Sequence, residues 1–153
     1  MNEWLQNVEP LTLKGQINVP YTWWVGETGS RFLNAIRYEE KILGTRCPDC
    51  DTVYVPPRKN CGRCFKGLDQ WVEIGAEGVV SAYTIVRYDH PQIPVKAPFA
   101  YALILLDGAD VGIVHLITKD LEKLTNGVRV KAQFREPLQR TGHMLDIEAF
   151  KII

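Results

Sequence analysis

The chain carries no excess of charge of either sign: Lys and Arg total 18, and Asp and Glu total 18. The balance is also local. Residues 1–46 hold five basic and five acidic side chains, 47–74 hold four and four, and 75–153 hold nine and nine. No stretch has the basic surplus that attracts a phosphate backbone, so nucleic acid is not an expected partner. A polybasic membrane contact is disfavoured on the same ground. Long apolar runs are missing too. The longest, Phe99 to Leu106, falls far short of the roughly 20 residues that span a bilayer. The opening Met-Asn-Glu-Trp has no basic start followed by an apolar stretch, so no signal peptide is expected and the protein reads as cytoplasmic. No GxSxG, P-loop or GxGxxG motif is present, which removes the common hydrolase, nucleotide-triphosphate and dinucleotide signatures. At 153 residues, with 46% hydrophobic and 24% charged, the chain suits one globular domain or two very small ones sharing a core.

Cysteine is scarce, but the four present lie close together as Cys47-Pro-Asp-Cys50 and Cys61-Gly-Arg-Cys64. A CxxC turn bends back so that both sulfurs face one point, and two such turns close a tetrahedron around one structural zinc ion. Pro48 and Gly62 suit tight knuckles. Disulfides are not expected without a secretion signal, and a thioredoxin-like motif needs one CxxC in a βαβ setting. A rubredoxin-type iron site uses the same ligands, so the spacing does not separate zinc from iron. Four thiolates leave no open coordination position, which makes the site structural rather than catalytic. Arg46, Arg58, Lys59 and Arg63 either offset the charge of about −2 on such a centre or form a phosphate-binding patch.

Residues 1–27 contain Trp4, Tyr21, Trp23 and Trp24 and read as having no strong period. This aromatic arm either packs back or docks on a partner. A helix is expected over 29–41, capped by Thr28 or Ser30, with Phe32, Leu33 and Ile36 on one stripe and Gly44 as its stop. Strands follow: 71–74, 78–88, 99–106, 110–117, 128–135 and one through Leu145, Ile147 and Ala149, with a short helix over 118–126. The last five strands, with a helical insertion between the third and fourth, have the layout of an OB-fold barrel; a generic five-stranded sandwich is the alternative. The expected architecture is mainly β: an arm and helix over 1–44, a rubredoxin-like zinc ribbon over 45–74, and a five-stranded OB-fold over 75–153.

No residue set defines a catalytic site. His115 lies in an apolar strand and reads as a satisfied barrel residue, while His90 and His143 fall in loops. The loop 89–98, stiffened by three prolines, borders the usual OB-fold ligand face. There Arg87, Tyr88, His90 and Lys96 are candidates to meet a phosphate or nucleotide.

The chain resembles a family of two-part proteins, long listed as a domain of unknown function, with a rubredoxin-like zinc ribbon followed by an OB-fold. The resemblance rests on Val25-Gly-Glu-Thr-Gly-Ser-Arg-Phe32, Ile42-Leu-Gly-Thr-Arg-Cys-Pro-Asp-Cys50, Tyr54-Val-Pro-Pro-Arg58 and Cys61-Gly-Arg-Cys64. It continues through Trp71-Val-Glu73, Gly78-Val-Val-Ser-Ala-Tyr-Thr84, Ala100-Tyr-Ala-Leu-Ile-Leu-Leu-Asp-Gly108, Gly112-Ile-Val-His-Leu116, Gly127-Val-Arg-Val130 and Leu145-Asp-Ile-Glu-Ala-Phe150. Asp51 departs from the glycine usual after the first knuckle.

The resemblance implies a non-catalytic accessory subunit of a thiolase-like acyl-CoA acyltransferase complex. Family members bind thiolases, hydroxymethylglutaryl-CoA synthases and lipid-transfer-protein-like aldolases. By that resemblance the chain stabilises the catalytic partner and helps form a shared acyl-CoA site. Arg58, Arg87, Tyr88, His90, Lys96 and Phe99 are then candidates for CoA or partner contact, and Tyr21, Trp23, Trp24 and Phe32 for docking. Two other readings are a nucleic-acid binder, with Tyr83, Phe99 or Tyr101 stacking on bases, and a free-standing acyl-CoA-binding protein or enzyme.

Overall fold

The computed structural model describes residues 9, 11–15, 17, 19–93 and 95–153; Trp4 lies outside the described residues. Helix α1 runs Gly26–Glu39. Phe32, Ala35 and Ile36 recur at helical spacing and are buried. Burying Phe32 and Ile36 stabilises the docked helix by about 3–6 kcal/mol as an upper bound. The helix starts earlier than expected and neither expected cap serves it. Val25 precedes the first turn without a side-chain cap bond, and the Ser30 hydroxyl donates to the Gly26 carbonyl within the helix. It ends at Glu40, whose left-handed backbone (φ 55°) turns its N–H back to the Ala35 carbonyl. Gly44 is not the stop. It sits inside β1 (Ile42–Arg46), where an added Cβ would lie 2.9 Å from the Tyr54 carbonyl oxygen, so close strand pairing requires glycine there.

Strand β1 is the centre of a three-stranded antiparallel sheet, flanked by β2 (Val53–Tyr54) and β3 (Gln70–Ile74). The ribbon sheet therefore begins at Ile42, ahead of the expected boundary at 45. Helix α1 lies against it: the Arg31 guanidinium stacks over the Trp71 ring at 4.3 Å.

Five strands then close a barrel in the order β4-β5-β6-β8-β7, the OB-fold arrangement: β4 (Glu77–Val86), β5 (Phe99–Leu106), β6 (Ile113–Ile117), β7 (Arg129–Phe134) and β8 (Ile147–Ile152). Closure removes free sheet edges. The segment expected to be a helix over 118–126 holds only a 3₁₀ turn, Leu121–Lys123; two leucines among charges do not cover enough area to hold a longer helix down.

One hydrophobic core runs without a break from α1 (Phe32, Ile36) through the ribbon (Val53, Ile74) into the barrel (Ile104, Phe150). A second, smaller cluster covers the outer face of the barrel. Ile93 and Val95 of the β4–β5 loop fold over Phe99, Leu116 and Ala149, and the Phe99 ring meets Tyr101 edge-on at 5.2 Å.

Arg140 joins the end of α1 to the barrel. It is 6% exposed; its Nε donates to the Arg135 carbonyl at 2.6 Å and its Nη1 to the Arg37 carbonyl at 3.3 Å, while Nη2 pairs with the Glu40 carboxylate. The loop carrying Arg140 is itself ordered by buried Asp146, whose carboxylate accepts from the backbone N–H groups of Thr141, Gly142 and His143. Burial pushes the Asp146 carboxyl up, but these three donors outweigh it and hold it below its ordinary range.

Candidate metal centre and partner surface

The two CxxC turns are built alike. Cys47 N–H donates to the Thr52 carbonyl at 2.9 Å, and Cys61 N–H donates to the Lys66 carbonyl at 2.8 Å. In each turn a following N–H points at the first sulfur, Cys50 to Cys47 and Arg63 to Cys61, both at 3.4 Å. The residue after each turn is left-handed, Asp51 at φ 53° and Phe65 at φ 61°. That explains the glycine expected at 51. Aspartate tolerates this region better than most residues, and its carboxylate pairs with Arg46 at 2.7 Å.

All four sulfurs lie within 4.8 Å of one another, and Cys47 Sγ is 3.6 Å from Cys64 Sγ. A zinc–sulfur bond of about 2.3 Å puts tetrahedral vertices about 3.8 Å apart, so the donor set fits zinc closely. The acid–base chemistry agrees. As free thiols, hydrogen bonding with Cys64 pushes Cys50 up to about 12, while the Tyr54 hydroxyl pulls Cys61 down to about 6. Four thiolates at this spacing coexist only around a cation. Cys47 and Cys61 are buried, Cys50 is half-buried and Cys64 is exposed. The site is a structural zinc centre for one ion, and the metal would supply a cross-link between the knuckles.

Among the cations expected to offset the thiolates, Arg46 is engaged by Asp51. Arg58 lies on the ribbon with its guanidinium 5.1 Å over the Tyr54 ring. Lys66, not anticipated, bonds Asp49 at 2.7 Å.

The β4–β5 loop brings together two of the expected ligand residues. His90 and Lys96 line a cavity of about 330 Å³ with Asp89, Pro91, Ile93 and Val95. Arg87 and Tyr88 are exposed beside it in sequence; Arg58 is not among its lining residues. Phe99 is corrected: it is fully buried beneath this loop, because it belongs to the outward row of β5 that the loop covers, and it offers no exposed surface. Phe32 is corrected likewise: at 2% exposure it is a core residue of α1.

Tyr21, Trp23 and Trp24 are instead open to solvent, at 78%, 67% and 77%. Within the stretch before residue 27, one part alternates, although Trp24 falls outside the pattern. Leu11, Leu13, Ile17, Val19, Tyr21 and Trp23 occupy odd positions only, and all are highly exposed. This is the alternation of an extended segment with one apolar face. Phe65, at the tip of the second knuckle, adds another exposed aromatic (79%) that sequence reading passed over.

His115 is buried and satisfied as expected. Leu116 N–H donates to its Nδ1 at 2.8 Å, which leaves Nε2 protonated to donate to the Met144 carbonyl at 3.2 Å. Burial holds its pKa below the ordinary 6.5. His143 caps a 3₁₀ turn. Among the described residues, no helix is long and apolar enough to cross a membrane.

A rubredoxin-like zinc ribbon packed on an OB-fold barrel defines a class of two-module β proteins. Within it, residues 35–69 match the family described as ChsH2, rubredoxin-like zinc ribbon domain, and residues 71–135 match ChsH2, C-terminal OB-fold domain. The chain belongs to this ChsH2-type zinc-ribbon and OB-fold family. It is 27% identical over 95 residues, 61% of this chain and 67% of the relative, to a DUF35 domain-containing scaffold protein of Methanocaldococcus jannaschii. A DUF35-family protein of unknown function from Sulfolobus solfataricus shares the fold with a TM-score of 0.58 at 28% identity, covering 71% of this chain and 77% of that one. A chain of an Ltp2–ChsH2(DUF35) aldolase has the same fold with a TM-score of 0.58 at 21% identity, covering 84% and 93%.

Proposed function

We propose that this chain is a non-catalytic accessory subunit of a thiolase-like or aldolase-like complex acting on acyl-CoA, where it stabilises the catalytic subunit and contributes one wall of the CoA-ester site. The observation that carries this reading is the match of both modules, in order, to the ChsH2 domains. A related protein is described as a scaffold, and a protein of the same fold occurs in an aldolase assembly.

Two features of the chain support it. The first is the arm. An extended segment with one exposed apolar face is suited to adding to a partner's sheet edge or lying in its groove. Pro20 falls on the even positions, so every odd residue keeps its N–H for pairing on one side. The second is the loop cavity. At about 330 Å³ it stands at the small end of ligand sites and would hold part of a CoA ester, with Arg87, His90 and Lys96 facing its phosphates and the partner completing the enclosure.

Co-expression with the thiolase-like or aldolase-like enzyme encoded beside its gene, purified through a single tag, tests the reading. The two chains co-elute, and the enzyme loses activity when this chain is omitted. Failure to co-elute, with enzyme activity indifferent to this chain, would overturn it. Calorimetry with CoA gives weak binding to the isolated chain and tighter binding to the complex. Tight binding to the isolated chain would favour a free-standing acyl-CoA protein instead.

A further inference from the structure

The metal centre is not held by its four cysteines alone. Tyr54 is buried, at 4% exposure, and its hydroxyl oxygen lies 3.3 Å from Cys61 Sγ. The same oxygen accepts the Gly62 N–H at 3.1 Å. A metal-bound thiolate carries no proton, so the phenol must be the donor to sulfur.

Tyr54 is carried on β2, a strand of only two residues. On one side β2 pairs with β1. On the other side the barrel takes the place of a neighbouring strand. In the β5–β6 connection, Asp110 accepts the Val53 N–H through Oδ2 at 2.8 Å and donates its own N–H to the Val53 carbonyl at 3.0 Å. The next residue, Val111, packs against the cluster of Cys47, Tyr54, Cys61 and Leu68.

We propose that Asp110 and Tyr54 form a relay through which the barrel sets how tightly the ribbon keeps its zinc: Asp110 fixes β2, and β2 presents the Tyr54 hydroxyl to the Cys61 thiolate. Both are positioning residues for the metal, and neither ligates it. Removing such an outer hydrogen bond typically weakens metal affinity about 10–100-fold.

The test uses the full chain loaded with Zn²⁺, following release to a chromogenic chelator, and the Co²⁺-substituted protein, following the sulfur-to-cobalt charge-transfer band. Tyr54→Phe keeps the ring, weakens retention by about 10-fold or more and shifts the band. Asp110→Ala speeds release in the wild-type background and adds little in the Tyr54→Phe background, because both act through one strand. Asp110→Asn, which keeps an acceptor for Val53, retains zinc as the parent does, and Asp110→Leu, similar in size but without an acceptor, stands in with the accelerated release should the alanine variant not fold. Asp107→Ala, whose carboxylate in the same connection pairs with Arg129 alone among the described residues, leaves release unchanged. An unchanged rate and an unshifted band in Tyr54→Phe would overturn the role of the phenol. Equal acceleration by Asp110→Ala in both backgrounds would overturn the relay.

Discussion

Replacing Arg140 by methionine keeps the length of the side chain and removes the guanidinium, so it measures what holds α1 to the barrel. Three bonds are lost. Two go to backbone carbonyls, Arg135 at 2.6 Å and Arg37 at 3.3 Å, and the third goes to Glu40. Hydrogen bonds from a charged donor contribute about 1.5–3 kcal/mol each, and the longer Arg37 bond belongs below that range. Glu40 is 52% exposed, so screening limits its pair to under about 1 kcal/mol. Against these stands the cost of keeping a cation at 6% exposure, which the methionine no longer bears. The net loss is about 2–3 kcal/mol, equivalent to a fall of about 5–10 °C in Tm for a chain of this size. Calorimetric unfolding of the zinc-loaded protein gives the energy, and hydrogen exchange across residues 26–39 locates it. Arg140→Lys, with one donor group in place of the fork, recovers only part of the loss, and Glu40→Gln costs under about 1 kcal/mol. If Arg140→Met unfolds within about 1 kcal/mol of the parent and α1 exchanges no faster, the clamp does not hold the helix.

Three further outcomes are expected. Cys47→Ser and Cys64→Ser each lose the metal and fail to give a stably folded chain, since structural zinc contributes directly to folding; a soluble, fully folded, metal-free variant would contradict this. Phe32→Ala lowers stability by about 3–5 kcal/mol as a core truncation, while Trp23→Asp and Trp24→Asp leave Tm unchanged and weaken co-elution with the catalytic partner; a Phe32→Ala chain with unaltered Tm would refute the core assignment. His115 has a folded-state pKa below its ordinary 6.5, so below that pH the unfolded chain binds more protons. Its contribution is present above about pH 6.5 and is lost as pH falls through the folded value. His115→Gln flattens the pH dependence of unfolding free energy in that window, and coincident slopes for variant and parent would count against it.

The parts of the fold visible in the sequence are those fixed by neighbours along the chain. The knuckles at 47, 50, 61 and 64 follow from spacing, and strand 99–106 is found with its observed bounds because a continuous apolar run has few other uses in a barrel. The start of α1 is hidden: Gly26-Glu-Thr-Gly29 carries no apolar period, and burial of Phe32 and Ile36 four residues apart carries the helix through it. Gly44 resembles a helix stop until β2 approaches it. Asp110 and Arg140 act across 57 and about 100 residues, and no local pattern marks such contacts. Phe32 and Phe99, candidates for contact by the family resemblance, lie inside: the folded core decides which aromatics remain outside.

The core that passes from helix to ribbon to barrel also bears on how such a protein can be rearranged. Its two modules are separable as text, but the surface between them is made of residues from both. A chimaera carrying the ribbon of one relative on the barrel of another would have to bring Val53, Ile74 and Asp110 into register together. Exchange at the residue 69–71 junction alone would leave an unmatched seam, so the pair is expected to be inherited, and engineered, as one piece.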